Sequence, residues 1–367
     1  MQFSAGANTT FVDLGYDSKN RVTSVGNTTV SYVATDNLIS HIKSGAVEEQ
    51  RDYSEYGELK SMTSSGFSYS IERDLLGRVV TKSESIGGKV STFNYGYDAN
   101  DRLISVSRSG QIISQFTYDS NGNRVLVREA VEKKSIFDAQ DRMLQQGDVR
   151  YEYNASGERT RKIEPAGTTT YTYGFASQLS QVQLPSGEVV KYDMNGKGQR
   201  LPRRVNGNVE TYYLWQSALK LGSEITPNGS LRSSFVYGTD SHSPDIMVKD
   251  GITYRFVKDD LGSIRQVVNT GTGQIAQQLS YDAWGKVIEN TNPGFQPFGF
   301  AGGIYDVDTK LVMFGARDYD AETGRWTSKD PILFNGGDSN LYAYAANDPL
   351  NFIDPRGTDI TATIAIR

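Results

Sequence analysis

The sequence predicts an all-β protein made from one strand–turn–strand unit that is repeated along most of its 367 residues. Three observations lead to this prediction: an excess of tyrosine and glycine, a recurring aromatic–Asp–turn–Arg segment, and weak helical periodicity. The chain has 22 tyrosines and 37 glycines but only 10 prolines, a composition typical of short strands joined by tight turns. Glycine interrupts most helical candidates, and no apolar run with helical spacing exceeds about ten residues.

The repeated segment is clearest in three copies, which read YDSKNRV from Tyr16, YDANDRL from Tyr97 and YDSNGNRV from Tyr118. Looser copies begin at Arg73, Phe137, Tyr153, Tyr192 and Tyr281. An aromatic residue ends an alternating segment, and the Asp or Asn that follows can bond to its own turn backbone. A Gly, Asn or Asp can then take a positive φ, and Arg begins the return strand. The unit is therefore a β-hairpin that recurs about every twenty residues.

A single hairpin cannot bury its own faces, so the repeat predicts hairpins that stack into one continuous spiral β-sheet. A propeller or a β-sandwich is the alternative, and it fits less well because the unit is one hairpin and not a four-stranded blade. We interpret the repeated tyrosines as stacked wall residues. The repeated arginines are expected to pack over them or to pair with the Asp of the next turn.

Composition excludes several kinds of site. The chain has no cysteine, which rules out disulfides, thiolate zinc sites and cysteine nucleophiles. Its two histidines, His41 and His242, lie far apart, so neither a metal centre nor another cofactor is predicted. The net charge of -5 without a Lys/Arg cluster argues against nucleic-acid binding. No stretch approaches the roughly 18 to 20 apolar residues of a membrane span, and no signal peptide is visible at the start.

A denser block begins near Gly294, where the repeat period breaks. In order, it contains the segments GARDYD (315–320), GRW (324–326), DPI (330–332), NLYAY (340–344), NDP (347–349) and DPRG (354–357). This order closely resembles the Rhs-associated core of Rhs toxins and Tc-toxin C components. The looser hairpin repeat resembles the tyrosine-aspartate (YD) repeat of those proteins and of teneurins.

The resemblance implies a hollow shell or partial shell. Its parts would be a YD-repeat wall over residues 1–293, a Rhs-associated core that plugs it over residues 294–357, and a short tail over residues 358–367. Such proteins enclose a C-terminal toxin or effector, so the implied partners are that cargo, which this chain does not contain, and a second shell chain or a delivery-machine protein. The resemblance also implies a secreted or extracellular protein, or one delivered by a secretion system. The alternating tail is expected to add a strand to the inner wall.

Many members of this family cut their own chain just after Asp-Pro-Xaa-Gly-Leu, an activity ascribed to an aspartyl-protease-like pair. Carried onto this sequence, the pair is Asp330 and Asp354. Two close carboxyls cannot both ionise cheaply, so one keeps a proton as general acid while the other activates water. Arg317, Arg325 and Asp348 are the supporting candidates. Any enzymatic activity is therefore expected to be at most an intramolecular autoproteolysis.

Two positions depart from the family pattern. Thr358 stands where cleaving members usually carry Leu, and Lys329 stands where Arg is common. The bond expected to break is either Gly357–Thr358 or Thr358–Asp359. Asp-Pro also marks ordinary turns, so the aspartates can equally be turn residues. Two other functions stay open: an extracellular adhesion or carbohydrate-binding module without catalysis, suggested by exposed tyrosines, and, more weakly, a glycosidase built on the carboxylates.

Overall fold

The computed structural model describes residues 2–5 and 8–363. Within this part the regular elements are 36 strands and four short 3-10 turns, Phe175–Ser177, Phe300–Gly302, Leu333–Gly336 and Ala345–Asn347. The prediction of an all-β fold is confirmed. Among the described residues, no helix has the length and apolar character needed to cross a membrane.

The chain begins with a separate hairpin, Gln2–Ala5 (β1) and Asn8–Phe11 (β2), and continues into one sheet of 28 strands. The strands of that sheet are, in chain order, Leu14–Tyr16 (β3), Val22–Val25 (β4), Thr28–Tyr32 (β5), Ile39–Ser44 (β6), Val47–Tyr53 (β7), Leu59–Ser64 (β8), Phe67–Arg73 (β9), Val79–Ile86 (β10), Lys89–Tyr97 (β11), Leu103–Arg108 (β12), Gln111–Tyr118 (β13), Arg124–Arg128 (β14), Glu132–Phe137 (β15), Met143–Gln146 (β16), Val149–Tyr153 (β17), Arg159–Glu164 (β18), Gly167–Tyr173 (β19), Leu179–Gln183 (β20), Val189–Met194 (β21), Arg200–Val205 (β22), Asn208–Trp215 (β23), Leu221–Ile225 (β24), Leu231–Val236 (β25), Ile246–Lys249 (β26), Ile252–Lys258 (β27), Ile264–Asn269 (β28), Ile275–Tyr281 (β29) and Val287–Asn290 (β30).

Each strand of this sheet pairs antiparallel with the next strand along the chain, from β3 through β30. In the described part of the chain, β3 pairs with β4 and β30 pairs with β29, and no pairing joins β3 to β30. The predicted continuous sheet of hairpins is therefore confirmed, and its two ends remain open. We call this sheet the wall.

The repeated turns are held by the Asp and Arg that the sequence places four residues apart. In one copy, the Asp98 Oδ1 atom accepts hydrogen bonds from the backbone N–H groups of Asn100 (2.9 Å) and Arg102 (3.0 Å). The Arg102 Nε–H group donates to Asp98 Oδ2 (2.8 Å), and Asp101 takes a φ of 61°. The same Asp–Arg pairing recurs at Asp17–Arg21, Asp74–Arg78 and Asp138–Arg142.

Successive turns are joined by the aromatic residue of the repeat. The Arg102 guanidinium lies 4.7 Å from the ring centroid of Tyr118 in the next turn, and the Tyr118 hydroxyl donates to the Leu103 carbonyl oxygen (2.7 Å). The repeated arginines therefore pack over the next tyrosine, as expected, but they pair mainly with the Asp of their own turn. Arg78 is a case that also reaches the following turn, at Asp101 (2.8 Å).

The wall turns back on itself, so that early strands pack on late ones. Glu84 on β10 lies 2.7 Å from Arg265 on β28, and Lys82 lies 2.7 Å from Asp260. Beside these ion pairs, apolar side chains of the two layers share one buried cluster, which includes Met62, Phe67, Tyr69, Val257 and Val268. Ion pairs and apolar burial together fix the spiral.

After β30 the chain leaves the wall and forms smaller sheets. One has four strands, Ile304–Tyr305 (β31), Val312–Phe314 (β32), Arg317–Asp320 (β33) and Arg325–Trp326 (β34), and the other pairs Phe352–Ile353 (β35) with Thr361–Ala362 (β36). The expectation that the tail adds a strand to the inner wall is wrong for its described residues, because Thr361 and Ala362 pair with β35 instead. Residues 364–367 of the predicted tail strand lie outside the described residues.

The segment from Phe298 to Asp354, which we call the core, is bound to the wall by buried ion pairs. The Arg200 Nη2 atom lies 2.6 Å from Asp318, and Arg159 Nη1 lies 2.7 Å from Asp320. All four side chains are less than a tenth exposed. An aromatic cluster of Phe300, Phe314, Tyr319, Trp326 and Tyr344 fills the middle of the core. The wall therefore supplies the cations and the core supplies the carboxylates.

Candidate active site

Asp330 is placed by a tight turn that follows the last strand of the core sheet. Its Oδ1 atom accepts a hydrogen bond from the Ile332 N–H group (2.9 Å), and its own N–H group donates to the Leu341 carbonyl oxygen (3.1 Å). These bonds direct the second carboxylate oxygen, Oδ2, toward Arg317, which lies 2.8 Å away. The turn predicted from Asp-Pro is therefore present. It uses only the Oδ1 atom of Asp330, so the Oδ2 atom can contact Arg317.

Asp354 directly follows β35, and its side chain binds the backbone that comes after Gly357. The backbone N–H groups of Thr358 (3.0 Å) and Asp359 (3.1 Å) both donate to Asp354 Oδ1. Gly357 has a φ of 68°, and a Cβ atom at this position would overlap the Phe314 carbonyl oxygen. Only glycine can take this conformation in so little space, so the Gly357–Thr358 bond is held in one position.

Arg317 joins the two aspartates. Its Nη2 atom lies 2.8 Å from Asp330 Oδ2 and 3.1 Å from Asp354 Oδ2. Its Nε–H group donates to the Gly357 carbonyl oxygen at 2.6 Å, and its guanidinium stacks 4.1 Å from the ring centroid of Trp326. One guanidinium therefore contacts both predicted carboxylates and the carbonyl group of a predicted scissile bond.

The three charged groups are almost fully removed from water. Exposed fractions are 6% for Asp330, 1% for Asp354 and 5% for Arg317. Burial raises the pKa of Asp330 and of Asp354 above the ordinary value, although the Arg317 charge opposes this in both cases. Burial also lowers the pKa of Arg317, against the pull of the two carboxylates. One guanidinium therefore faces two buried carboxyl groups, each with a raised pKa.

These residues line a narrow cleft together with Asp338, Leu341 and Thr358. Its volume of about 10 Å³ is close to the minimum that a single water molecule needs. Asp338 was missed by the sequence analysis because no recognised motif contains it. Its Oδ1 atom accepts a bond from the Asn340 N–H group (2.8 Å), and burial raises its pKa.

The other two supporting candidates lie elsewhere. Arg325 donates to the Asp141 carbonyl oxygen (2.7 Å) and to Asn123 Oδ1 (3.1 Å), both on wall turns. Asp348 accepts two bonds from the Asn351 side chain (2.9 and 2.8 Å), and burial raises its pKa to about 6. The sequence alone could not choose between Arg317 and Arg325, because both lie in the recognised segments of the C-terminal block. In the structure both are buried on strands, and only Arg317 points to the aspartate pair.

No group of three or more His, Cys, Asp or Glu side chains suited to a metal ion occurs among the described residues. His41 lies on β6. His242 lies in a loop of the wall, where its Nδ1 atom is 3.2 Å from Asp240 and burial lowers its pKa. Neither histidine is among the residues that line the aspartate cleft, where the charged groups are carboxyls and the Arg317 guanidinium.

Comparisons with known proteins bear on both the wall and the core. The sequence model of the Teneurin YD-shell family matches residues 2–350. Teneurin-4 of Mus musculus is 28% identical over 331 residues, covering 84% of this chain and 12% of that protein. The tRNA3(Ser)-specific nuclease WapA of Bacillus spizizenii is 27% identical over 274 residues, covering 71% of this chain and 12% of that protein.

Among solved structures, the crystal structure of TcdB2-TccC3-TEV superposes with a TM-score of 0.53 at 14% identity, covering 96% of this chain and 19% of that chain. At this identity the likeness concerns the fold alone. The chain spans 12% of the length of the curated relatives described above, so the matched region is one part of much longer proteins.

Proposed function

Because this chain belongs to the Teneurin YD-shell family, we propose that it forms the wall and the core of a shell that encloses a C-terminal segment. We also propose that the core cuts the chain at the Gly357–Thr358 bond. The observation that carries the proposal is the position of Arg317, which contacts Asp330, Asp354 and the Gly357 carbonyl oxygen with one guanidinium.

The cut proceeds by addition of water to the Gly357 carbonyl carbon. Asp330, in its ionised form, takes a proton from the water held in the cleft, and the new bond joins the water oxygen to that carbon. The negative charge that develops on the Gly357 oxygen is stabilised by the Arg317 Nε–H group, which already donates to this oxygen in a site shielded from solvent.

The carbon–nitrogen bond then breaks, and the protonated Asp354 gives its proton to the Thr358 nitrogen. In the uncut chain the Thr358 N–H group donates to Asp354 Oδ1 at 3.0 Å. Addition of water makes this nitrogen tetrahedral and frees its lone pair, which can then take the proton from the same carboxyl group. The products are a carboxyl group on Gly357 and an amino group on Thr358. The neighbouring Thr358–Asp359 bond also has its nitrogen on Asp354 (3.1 Å), but the guanidinium contact to the Gly357 carbonyl favours the first bond.

In this proposal the enclosed segment begins at Thr358. Support comes from the relative named as a tRNA3(Ser)-specific nuclease, because enclosure would keep a segment with such an activity away from the RNA of the cell that makes it. The open ends of the wall, and the 19% coverage of the TcdB2-TccC3-TEV chain, support completion of the shell by a second chain or by a delivery protein. The same proposal places the protein outside the cell or on a secretion route.

Intact-mass spectrometry of the chain extended by its native downstream sequence tests the cut. We expect a fragment ending at Gly357 in the wild type and an uncut chain in Asp330→Asn and Asp354→Asn. Asp348→Asn is the matched control, because Asp348 is also a buried core carboxyl with a raised pKa but contacts Asn351 instead of Arg317. It should be cut like the wild type.

Two results would decide against this assignment. An uncut wild-type chain would leave the aspartates as turn and anchoring residues of a shell without catalysis. A fragment ending at Thr358 would move the cut to the second bond and remove the role given to the Gly357 carbonyl contact. Protection of the downstream segment from added protease, before and after the cut, tests the enclosure separately.

A further inference from the structure

A second cleft lies between two layers of the wall, and its residues have no part in the proposed cut. One side of this wall cleft is formed by β10 to β13, and the other by the turns that follow β27 and β29. Its volume is about 80 Å³. Because a cavity of about 150 Å³ holds benzene, a short aliphatic chain is the size of group that the wall cleft can take.

The wall cleft is lined by Asp282, the turn aspartate of a hairpin copy that lacks the usual arginine. In a regular copy the Arg102 Nε–H group donates to Asp98 Oδ2. Four residues after Asp282 the chain has Lys286, whose Nζ atom lies 3.7 Å from Glu322 instead. Two backbone N–H groups of the turn donate to Asp282 Oδ1, both at 2.9 Å. Among the described residues, no side chain donates to the Oδ2 atom, and no cation pairs with this carboxylate.

The other charges of the wall cleft leave it negative. The two cations that line it are Lys82 and Arg265, and each already lies 2.7 Å from a wall carboxylate. Glu129, at the rim, is exposed and makes no ion pair within the described part of the chain. Burial raises the pKa of Asp282 to about 6, and the Glu129 charge acts in the same direction. A positively charged ligand would therefore be favoured over a neutral or a negative one.

The floor of the wall cleft contains a second polar group without a partner. Trp284 is 4% exposed, and its Nε1–H group has no acceptor among the residues that the structure describes. Arg124, whose charge opposes the rise in the pKa of Asp282, stacks 4.1 Å from the centroid of this ring. Buried polar groups in proteins nearly always have a hydrogen-bond partner, so two unsatisfied groups at one cleft point to a ligand.

The accessible lining of the wall cleft is mainly apolar. Phe93 and Tyr95 on β11 are half-buried, and Ile113 on β13 is 43% exposed at the rim. These side chains can shield an aliphatic chain from water. We propose that the wall cleft binds a primary ammonium ion on a short aliphatic chain. The ammonium donates to Asp282 Oδ2, and the chain lies against Phe93 and Ile113.

Saturation-transfer NMR on the whole chain tests this with n-butylamine as the probe. We expect a dissociation constant of about 1 mM, typical of a weak small-ligand site. n-Butanol has the same length without the charge, and methylamine has the charge without the chain. Each should bind at least about tenfold more weakly. A free amine and a lysine side chain share this chemistry, and transfer to Nα-acetyl-lysine N-methylamide would show that a polypeptide lysine also enters.

Asp282→Asn removes the charge but keeps the turn, and it should weaken n-butylamine binding at least about tenfold. Asn195 shows that asparagine makes this turn, because its Oδ1 atom accepts the same two backbone bonds at 2.9 and 3.0 Å. Asp98→Asn is the matched control, since the Oδ2 atom of Asp98 is already occupied by Arg102. The control should bind n-butylamine like the wild type.

Lys286→Arg tests the site without removing the carboxylate. It supplies the arginine that four other turns carry, and the new guanidinium should pair with Asp282 and abolish binding. Unchanged urea midpoints would show that the variants fold. Absence of transfer from n-butylamine, equal binding of n-butanol, or wild-type binding in Asp282→Asn and Lys286→Arg would overturn the proposal. Loss of binding in Asp98→Asn would overturn it as well.

Discussion

Removal of the Arg200 guanidinium tests whether buried ion pairs attach the core to the wall. Arg200 Nη2 lies 2.6 Å from Asp318 Oδ1, and the two side chains are 3% and 6% exposed. The same guanidinium stacks 3.6 Å from the ring centroid of Tyr192. Arg200→Met keeps the apolar stem but leaves the Asp318 carboxyl buried without the cation that it contacts.

A buried charge that loses its partner costs about 3–5 kcal/mol of folding free energy, and we expect Arg200→Met to lose an amount in this range. Burial already raises the pKa of Asp318 in the presence of Arg200. Without Arg200 the pKa of Asp318 rises further. The deficit of the variant should therefore shrink as the pH falls from that higher pKa toward the pKa of the wild type, because protonation removes the uncompensated charge. At neutral pH and above, the deficit should be largest.

Urea unfolding followed by tryptophan fluorescence measures the loss. The double variant Arg200→Met/Asp318→Leu should recover most of it, because an apolar pair replaces both charges. Arg128→Met is the control: its ion pair with Glu132 is about half exposed, so no measurable loss is expected. A loss below about 1 kcal/mol for Arg200→Met, or a double variant that is as unstable as the sum of its parts, would refute the reasoning.

Three further predictions follow from the described contacts. Tyr97→Phe removes a hydroxyl that donates to a main-chain carbonyl of the wall (2.7 Å) and accepts from a core asparagine (3.1 Å), and chemical unfolding should show a loss of about 1–2 kcal/mol. Gly357→Ala places a Cβ atom against the Phe314 carbonyl oxygen at a φ of 68°, so mass spectrometry should show cleavage slowed at least about tenfold; normal cleavage would contradict the fixed geometry. Because burial raises the pKa of both Asp330 and Asp354, cleavage that needs one proton on the pair should be fastest below neutral pH and should fall as the pH rises, whereas rates that are flat from about pH 4 to 8 would exclude the shared proton.

The hairpin repeat could be predicted from sequence because its determinants are local. An Asp and an Arg four residues apart close their own turn, as Asp98 and Arg102 do, and a residue such as Asp101 supplies the positive φ between them. The aspartate pair was predicted from the resemblance of the C-terminal block to the Rhs-associated core, and not from Asp-Pro alone, because Asp348 also precedes a proline. These features need only the order of residues along a short stretch of chain.

What the tertiary structure alone decided is which distant groups meet. Arg159 and Asp320 are 161 positions apart, and the turning of the wall, not any local pattern, brings them together. The choice of Arg317 over Arg325 depends on where β33 and β34 lie relative to the wall turns, because both arginines are equally buried. Sequence therefore specified the repeating hairpin. Long-range packing decided which charged side chains are buried and which ones meet, because burial and pairing are properties of the assembled sheet.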